Sequence, residues 1–308
     1  MNIAVVGPGA IGLLLAGYLQ KTGASVTLVD EIPDRADLLN REGIRWQGEA
    51  ADFRYRVPVT VGLQDPGNVD LVILCVKAYH TESAALGLSR AGYRGPVMTL
   101  QNGVGNAELI ARSCPSSAVI AGITSEGANL AAENHVRHAG SGKTSFGPIE
   151  YGNPGDRFLD ELLTIMRQAG LDAELSGDPQ SLIWGKVLVN AGINPLTAIL
   201  SVRNGKLLEI DQARALMADL VREGCEVVRR KGHRLMCEDP VSRVEEVCRL
   251  TAENYSSMYS DIINRRPTEI DFINGAIVRE GAAIGVTCPR NDAVTKIIHA
   301  LQAAPRVS

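Results

Sequence analysis

A short apolar run at the N-terminus ends in the pattern Gly-x-Gly-x-x-Gly, formed by Gly7, Gly9 and Gly12. Between a strand and a helix, this pattern places a pyrophosphate at the N-terminus of the helix. Gly7 permits a tight turn, Gly9 lets phosphate approach the backbone, and Gly12 lets the helix lie close to the sheet. The turn therefore predicts dinucleotide contacts from six residues, which are Gly7, Pro8, Gly9, Ala10, Ile11 and Gly12.

The residues after Gly12 supply the context that this motif requires. An apolar helical pattern ends near Gly23, and residues 24–30 form a β-rich run that closes on Asp30. Strand, glycine turn, helix and strand make one βαβ unit. We therefore expect a Rossmann-type parallel sheet at the start of the chain.

Asp30 bears on the choice of dinucleotide. An acidic residue at this distance from the glycines accepts hydrogen bonds from the adenosine ribose and repels a 2′-phosphate. Glu31 adds a second negative charge, and the next basic residue, Arg35, comes a helical turn later, beyond Pro33. These charges favour NADH over NADPH. The alternative is that Asp30 only caps the helix that begins near Pro33.

Two continuous apolar runs, 70–76 and 96–100, are typical of parallel strands buried on both faces. The first leads to Lys77, and the second leads to the polar loop 101–106, which contains Asn102. Ligands of open α/β sheets bind beyond the C-terminal ends of the strands. Lys77 and this loop are therefore candidate cofactor contacts, although Lys77 could equally be a solvated lysine at a helix start.

Residues 44–61 alternate loosely and predict a hairpin or sheet-edge strands, and 118–123 predicts a further strand. Residues 135–138 and 144–147 are interpreted as a final antiparallel pair. His135 and His138 have a spacing found in metal sites, but the sequence indicates no acidic or third histidine ligand nearby. We expect a surface strand there and no metal.

The pattern changes after Pro154. One amphipathic helix and a short extended piece at 172–175 precede a region without strand-like alternation, whose predicted helices are 180–192, 206–231, 241–257, 268–284 and 291–302. We expect a Rossmann-type doubly wound α/β domain at 1–175 and an all-helical domain at 176–308. A cleft between two such domains is the default active site.

Within the first of these helices, Lys186, Asn190 and Asn194 are spaced at i, i+4 and i+8 and form one polar stripe on an apolar helix. Pro195 predicts the end of the helix. Because burying an unpaired lysine is costly, the stripe suits a ligand with a carboxylate and further oxygens. A solvated stripe on a surface helix is the alternative.

Three polar residues further along the chain are also candidate site residues. Asn254 and Ser257 are predicted to share a helix face, and Glu269 begins a helix behind Pro267. A carboxylate in the first turn can simply complement the helix dipole. Alternatively, Glu269 faces Lys186 across the active site.

Bulk properties exclude several classes of function. The net charge of −4 does not favour nucleic acid as a partner. No apolar run reaches the length of a membrane span, and the N-terminus has no signal-peptide pattern, so we expect a cytoplasmic protein without membrane contact. The six scattered cysteines predict reduced, mostly buried thiols. The oligomeric state stays open, with a homodimer as one option.

Taken together, these segments resemble the ketopantoate reductase (2-dehydropantoate 2-reductase) family over nearly the whole length. The resemblance rests on the glycine turn and on seven further motifs, which are 76–78, 101–103, Lys186 with Asn190, 194–197, 204–205, 254–258 and 268–275. It implies hydride transfer from a reduced nicotinamide to the C2 carbonyl of 2-dehydropantoate. The product is pantoate, for pantothenate and coenzyme A synthesis.

The resemblance also implies roles for individual residues. Lys186 matches the catalytic lysine that protonates the carbonyl oxygen, and Glu269 matches a glutamate at the junction of cofactor and substrate. The implied substrate contacts are Asn102, Lys186, Asn190, Asn194, Asn204, Asn254 and Ser257, and the implied cofactor contacts include Lys77, Asn102, Ala128 and Glu269.

The sequence departs from the family at one place. Similar proteins often carry an arginine after the second strand to bind the 2′-phosphate of NADPH, whereas this chain has Asp30 and Glu31. The family's usual NADPH is therefore in doubt, and NADH is favoured. Two alternatives remain, which are a related 2-oxoacid or hydroxyacid dehydrogenase with another small substrate, and a dinucleotide-binding protein without turnover.

Overall fold

The structure is a computed structural model that describes residues 1–49 and 51–304. It divides into two compact units, the first comprising 1–101 with 106–179 and the second comprising 102–105 with 180–308. The division after Pro179 lies slightly beyond the expected boundary at 175. The short segment 102–105, expected in the first domain, groups with the second unit.

The first unit is built on an eight-stranded sheet with the order β12-β11-β8-β7-β6-β1-β2-β5. Its strands are β1 (Asn2–Val6), β2 (Ser25–Asp30), β5 (Val59–Val61), β6 (Leu71–Leu74), β7 (Val97–Thr99), β8 (Val119–Thr124), β11 (Thr144–Pro148) and β12 (Ala173–Leu175). All neighbouring pairs are parallel except β8 with β11. The order reverses direction at β1, which confirms the predicted Rossmann-type sheet.

The helices of this unit are α1 (Ala10–Leu19), α2 (Pro33–Glu42), α3 (Thr81–Arg90), α4 (Asn106–Ser113) and α5 (Asp156–Gln168). Helix α1 is buried along almost its whole length. Its apolar side chains join a core with Ile3 and Val5 of β1 and Leu28 of β2. This packing fixes the turn between β1 and α1, which carries the glycine motif.

A second sheet in the first unit has the order β4-β3-β10-β9. It contains β3 (Ile44–Gln47), β4 (Asp52–Tyr55), β9 (Gly127–Ala132) and β10 (His135–Gly140). The predicted hairpin within 44–61 is confirmed by β3 and β4. The predicted pairing of 135–138 with 144–147 is wrong, because β10 pairs with β9 and β3, whereas β11 pairs with β8 and β12 in the larger sheet.

The second unit is helical in its described residues, as expected. Its helices are α6 (Pro179–Leu200), α7 (Asp211–Arg230), α8 (Pro240–Leu250), α9 (Ser257–Ile263), α10 (Asn274–Ala282) and α11 (Pro289–Ala303), with 3₁₀ turns at Asn204–Leu208 and Ile270–Phe272. The predicted helix 241–257 ends at Leu250, and a separate helix, α9, begins at Ser257 behind the cap Ser256. The predicted helix 268–284 begins only at Asn274.

Helix α6 differs from its prediction in length. Pro195 was expected to end it, but the helix continues through Pro195 to Leu200. The resulting 22-residue helix is long and apolar enough to cross a membrane by length and composition, contrary to the expectation from the sequence. In this structure 61% of its most apolar window is buried inside the protein, as is typical of a core helix.

Candidate active site

The glycine turn has the geometry that its sequence predicts. A Cβ on Gly12 would lie 2.1 Å from the Gly7 carbonyl oxygen, so a side chain there would separate α1 from the turn. Gly7 has φ +95°, and a Cβ on it would lie 2.7 Å from Val76 Cγ1. A Cβ on Gly9 would meet nothing within 4 Å, which leaves its outer face open to a ligand.

The N-terminus of α1 favours an anion. No side chain caps it, and no acidic residue lies in its first turn. The backbone N–H groups and the helix dipole are therefore available to a phosphate. Together with the open face at Gly9, these features fit the pyrophosphate of a dinucleotide.

Asp30 ends β2 as predicted, but its carboxylate is already engaged. It is 3% exposed and accepts hydrogen bonds from the N–H groups of Glu31 (2.7 Å) and Ile32 (3.0 Å). Arg35 adds a two-pronged ion pair, with Nε 2.5 Å from Oδ2 and Nη2 2.7 Å from Oδ1. The hydrogen bonds to Asp30 raise the pKa of Arg35 above its ordinary value.

Arg35 therefore lies closer to Asp30 than its position beyond Pro33 suggests. Helix α2 begins at Pro33, and its first turn brings the guanidinium back to the end of β2. In the sequence, this contact is indicated by a spacing of five residues that spans the start of a helix. Its side chain keeps 24% of its surface exposed, so a cation and a buried anion lie together where the ribose of a dinucleotide is expected.

Two of the other predicted cofactor contacts, Lys77 and Ala128, lie in the first unit near the ends of strands. Lys77 follows β6 and precedes a 3₁₀ turn, and it is partly buried. Gln101 follows β7 and donates from Nε2 to the Val76 carbonyl (2.7 Å) and to Thr81 Oγ1 (2.8 Å). Ala128 lies in β9 opposite His138.

Asn102 and Glu269 lie together in the second unit. Asn102 donates from Nδ2 to Glu269 Oε2 across 3.3 Å. The backbone explains the approach, because Val104 donates to the Phe272 carbonyl at 2.9 Å. Gly103 has φ +95°, and a Cβ there would come within 2.6 Å of Phe272, so only glycine fits between the two segments.

The surroundings of Lys186 change its pKa. Burial lowers its pKa to about 8, and the carboxylate of Glu269 partly opposes that shift. Glu269 itself is 6% exposed. Glu269 is therefore near enough to Lys186 to influence its charge. The predicted place of Glu269 in the first turn of a helix is wrong, because it precedes a 3₁₀ turn.

The solvent exposure of the polar stripe on α6 decreases from Lys186 to Asn194. Lys186 and Asn190 keep part of their surface exposed, whereas Asn194 is 7% exposed. Because Asn194 is buried and the other two residues are only partly exposed, the stripe is not fully solvated. Thr197, one turn beyond Asn194, bonds Ser256 hydroxyl to hydroxyl at 2.7 Å.

That bond brings the start of α9 to α6. Ser256 caps α9 through Tyr259 N–H, and Ser257 is the exposed first residue of the helix. Asn254 is exposed and lies in the turn before α9, so the predicted shared helix face of Asn254 and Ser257 is wrong.

Asn204 is held in the same region by its backbone and its side chain. Its N–H donates to the Asn254 carbonyl at 2.9 Å, and Nδ2 donates to Thr251 Oγ1 at 2.9 Å. Its Oδ1 is buried without a hydrogen-bond partner in the described part of the chain. The predicted substrate residues 204, 254 and 257 thus lie close to one another.

His138 has an acidic neighbour that the sequence did not reveal. Its Nε2 lies 2.6 Å from Glu126 Oε2, and both side chains are largely buried, so the expected surface strand is wrong for this residue. His135 instead contacts Gln47 at 3.0 Å. Within residues 1–49 and 51–304, no group of three or more His, Cys, Asp or Glu side chains could hold a metal ion. The six cysteines there are free thiols, four of them buried.

Comparison with known proteins identifies the family. A family model described as "Ketopantoate reductase PanE/ApbA" matches residues 3–151, and one described as "Ketopantoate reductase PanE/ApbA C terminal" matches residues 178–302. The chain belongs to the ketopantoate reductase family. As a member of it, the protein is an oxidoreductase that binds a nicotinamide dinucleotide and a small-molecule substrate.

Three relatives illustrate the range of this family and its fold. A 2-dehydropantoate 2-reductase of Archaeoglobus fulgidus is 34% identical over 301 residues, covering 98% of each chain. The crystal structure of a PanE/ApbA family ketopantoate reductase from Ralstonia eutropha has a TM-score of 0.88 at 30% identity, covering 98% of this chain and 99% of that one. D-Mandelate dehydrogenase with NADH and anilino(oxo)acetate has a TM-score of 0.91 at 28% identity, covering 98% of each.

Proposed function

We propose that this ketopantoate reductase family member reduces 2-dehydropantoate to pantoate, with Lys186 as the general acid. The observation that carries the proposal is the environment of Lys186, whose pKa lies at about 8 beside the buried carboxylate of Glu269. The full-length similarity to a 2-dehydropantoate 2-reductase supports the same substrate.

When bound, a reduced nicotinamide would supply the hydride for the C2 carbonyl carbon. The carbonyl oxygen gains negative charge as the π bond breaks, and a nearby cation lowers that barrier. Lys186 then gives one proton from its ammonium group to the oxygen, which completes the hydroxyl. A general acid works best with a pKa near the working pH, and about 8 is much closer to neutrality than the ordinary lysine value.

Glu269 has two roles in this proposal. Its charge keeps Lys186 protonated until the proton is transferred, since a nearby anion favours the ammonium form. It also accepts the hydrogen bond of Asn102, which fixes that amide beside the reacting centre.

The substrate is held by the amides and the hydroxyl that the family resemblance assigns to it. These are Asn190, Asn194, Asn204 and Ser257, with Asn254 next to them. Orientation of the carbonyl against a hydride donor accounts for a large share of catalysis in such a reaction. Asn102 belongs to the same set because of its bond to Glu269.

We propose further that the first compact unit holds the dinucleotide and the second holds the 2-oxoacid. The open face at Gly9 and the uncapped start of α1 support the first assignment. The α6 stripe and the Glu269 segment, both in the second unit, support the second assignment.

For the dinucleotide we propose NADH. Asp30 is buried at the end of β2, where a carboxylate disfavours a 2′-phosphate. The complex of D-mandelate dehydrogenase with NADH, in a chain 28% identical, supports this choice. Arg35 is the residue that opposes it, because its guanidinium lies beside the same carboxylate.

A second candidate is the reduction of an aromatic 2-oxoacid to a 2-hydroxy acid. The observation that favours it is the TM-score of 0.91 with D-mandelate dehydrogenase. The same residues would perform the chemistry, because the 2-oxoacid group is common to both substrates. The two candidates differ only in what surrounds the substrate side chain.

The test is a panel of 2-oxoacids with NADH and with NADPH, followed by the absorbance of the reduced dinucleotide. The panel contains 2-dehydropantoate, phenylglyoxylate, 2-oxoisovalerate and pyruvate. We expect the highest kcat/KM for 2-dehydropantoate. A higher value for phenylglyoxylate selects the second candidate, and binding of NADH without oxidation by any member refutes both.

A further inference from the structure

Pro195 leaves one carbonyl of α6 without its helical partner. The helix runs from Pro179 to Leu200, so Pro195 lies in its interior. Proline has no N–H, and the group four residues earlier loses the bond that a normal residue would donate. That group is the carbonyl of Ala191, a residue with no solvent exposure. An unpaired carbonyl buried in this way is costly.

Asn274 supplies the missing donor. Its Nδ2 lies 3.1 Å from the Ala191 oxygen, and the side chain is completely buried. The amide therefore replaces the N–H that Pro195 lacks, from a different helix, α10. A side-chain donor at this point connects the two helices, which an ordinary backbone bond could not do.

Asn274 is itself bonded to α11 and, through Asn291, linked to α7. Its Nδ2 also lies 3.0 Å from Asn291 Oδ1 on α11. Asn291 in turn donates to the Leu220 carbonyl (3.1 Å) and to Glu223 Oε2 (2.8 Å) on α7. The donor that meets α6 is thus fixed by a buried network.

The bonded carbonyl lies in the same turns of α6 as the polar stripe. Ala191 follows Asn190 directly and precedes Asn194 by less than one turn. Asn274 begins α10, immediately after the 3₁₀ turn that follows Glu269. One hydrogen bond therefore joins the helix that carries Lys186 to the segment that carries Glu269.

We propose that Asn274 is a positioning residue for carbonyl reduction. By bonding the carbonyl that Pro195 leaves unpaired, it sets the position of the α6 stripe relative to the Glu269 segment. It touches neither substrate nor dinucleotide, and it acts through the backbone of α6. This role deepens the proposed function and rests on it.

The test is a double-mutant cycle of Asn274→Ala and Pro195→Ala. Alanine at 195 restores a backbone N–H that can bond the Ala191 carbonyl, so the carbonyl no longer depends on Asn274. We expect Asn274→Ala alone to lower kcat/KM for the 2-oxoacid by about tenfold, the size of one lost hydrogen bond to a buried group. In the Pro195→Ala background the loss should shrink to about twofold.

Three kinetic parameters separate positioning from general damage. The KM for the 2-oxoacid should rise and kcat should fall in Asn274→Ala, whereas the KM for NADH should stay unchanged. Asn291→Ala removes the partner that holds Asn274 from α11. Its effect on kcat/KM should be smaller than that of Asn274→Ala, in the same direction, and should likewise shrink in the Pro195→Ala background.

The same cycle is measured in the free energy of unfolding, which needs no substrate. A milder variant, Asn274→Ser, replaces Asn274→Ala if the latter does not fold. Additive unfolding energies would show that the two residues are not paired, and this would overturn the proposal even if the 2-oxoacid panel fails. Coupled unfolding energies with additive kcat/KM values would overturn the positioning role alone and leave the proposed function intact.

Discussion

Asn102 and Glu269 are joined by a 3.3 Å hydrogen bond although they are 167 positions apart in the chain. The segment 102–105 interrupts the first unit in sequence yet groups with the second. The contact of this segment with residues 269–272 places the amide of Asn102 beside the buried carboxylate of Glu269. The same carboxylate is near enough to Lys186 to favour its ammonium form. The proposed chemistry follows from this arrangement.

The rate of reduction should depend on the ionisation of Lys186. A general acid must be protonated, so kcat should be high below pH 8 and fall as the pH rises through the lysine pKa of about 8. Because Glu269 raises that pKa, Glu269→Gln should move the fall to lower pH. The measurement is kcat against pH for both proteins at saturating substrate.

Asp271→Asn is the control for this profile. Asp271 is exposed and bonds His299, so removal of its charge should leave the fall where it is in the unaltered protein. An unshifted profile in Glu269→Gln would mean that Glu269 does not govern the ionisation of Lys186.

The Asp30–Arg35 ion pair should control the choice of dinucleotide. Asp30→Ala removes the carboxylate that disfavours a 2′-phosphate and releases the guanidinium of Arg35. We expect kcat/KM for NADPH relative to NADH to rise by about tenfold or more, the effect of one charged hydrogen bond. Arg35→Ala should lower the same ratio.

Asp34→Ala serves as the comparison, since Asp34 is an exposed carboxylate in the first turn of the same helix. It should alter the ratio little. If NADPH is clearly the better cofactor of the unaltered protein, the interpretation of Asp30 is wrong.

Gly103 should be far less tolerant of a side chain than Gly105. Both have positive φ, so alanine costs about 1–3 kcal/mol of backbone strain at either position. Only at Gly103 does the new Cβ also come within 2.6 Å of Phe272, whereas at Gly105 it meets a flexible arginine end at 3.5 Å. Gly103→Ala should therefore lower the free energy of unfolding more and also weaken 2-oxoacid binding. Equal losses in the two variants would contradict the close approach of these segments.

Much of the fold was predictable because its signals are local. Short stretches of sequence identify their own secondary structure without reference to distant parts of the chain. Examples are the glycines of the first turn, the apolar run 70–76 and the helical periodicity after 180. The sequence could suggest the approach of Glu269 to Lys186, but it could not establish that approach, since it depends on how the helices pack. The sequence offered that pair as one of two interpretations of Glu269, and the family motifs favoured it.

Three of the wrong predictions involve a side-chain partner that hydrophobic periodicity does not reveal. Pro195 normally ends a helix, but Asn274 bonds the carbonyl that it leaves unpaired, and α6 continues. His138 was expected on a surface, but it is buried together with Glu126, which lies 12 positions earlier in the chain. Arg35 returns to Asp30 only because α2 starts at Pro33.

The most direct test of the central claim is the turnover of 2-dehydropantoate by the unaltered protein and by Lys186→Ala with NADH. Lys206→Ala, which removes an exposed lysine paired with Glu209, is the control. We predict that Lys186→Ala lowers kcat by roughly 10²–10⁴, the usual contribution of a general acid, with unchanged dinucleotide binding and unchanged circular dichroism. Turnover near that of the unaltered protein in Lys186→Ala would contradict the account.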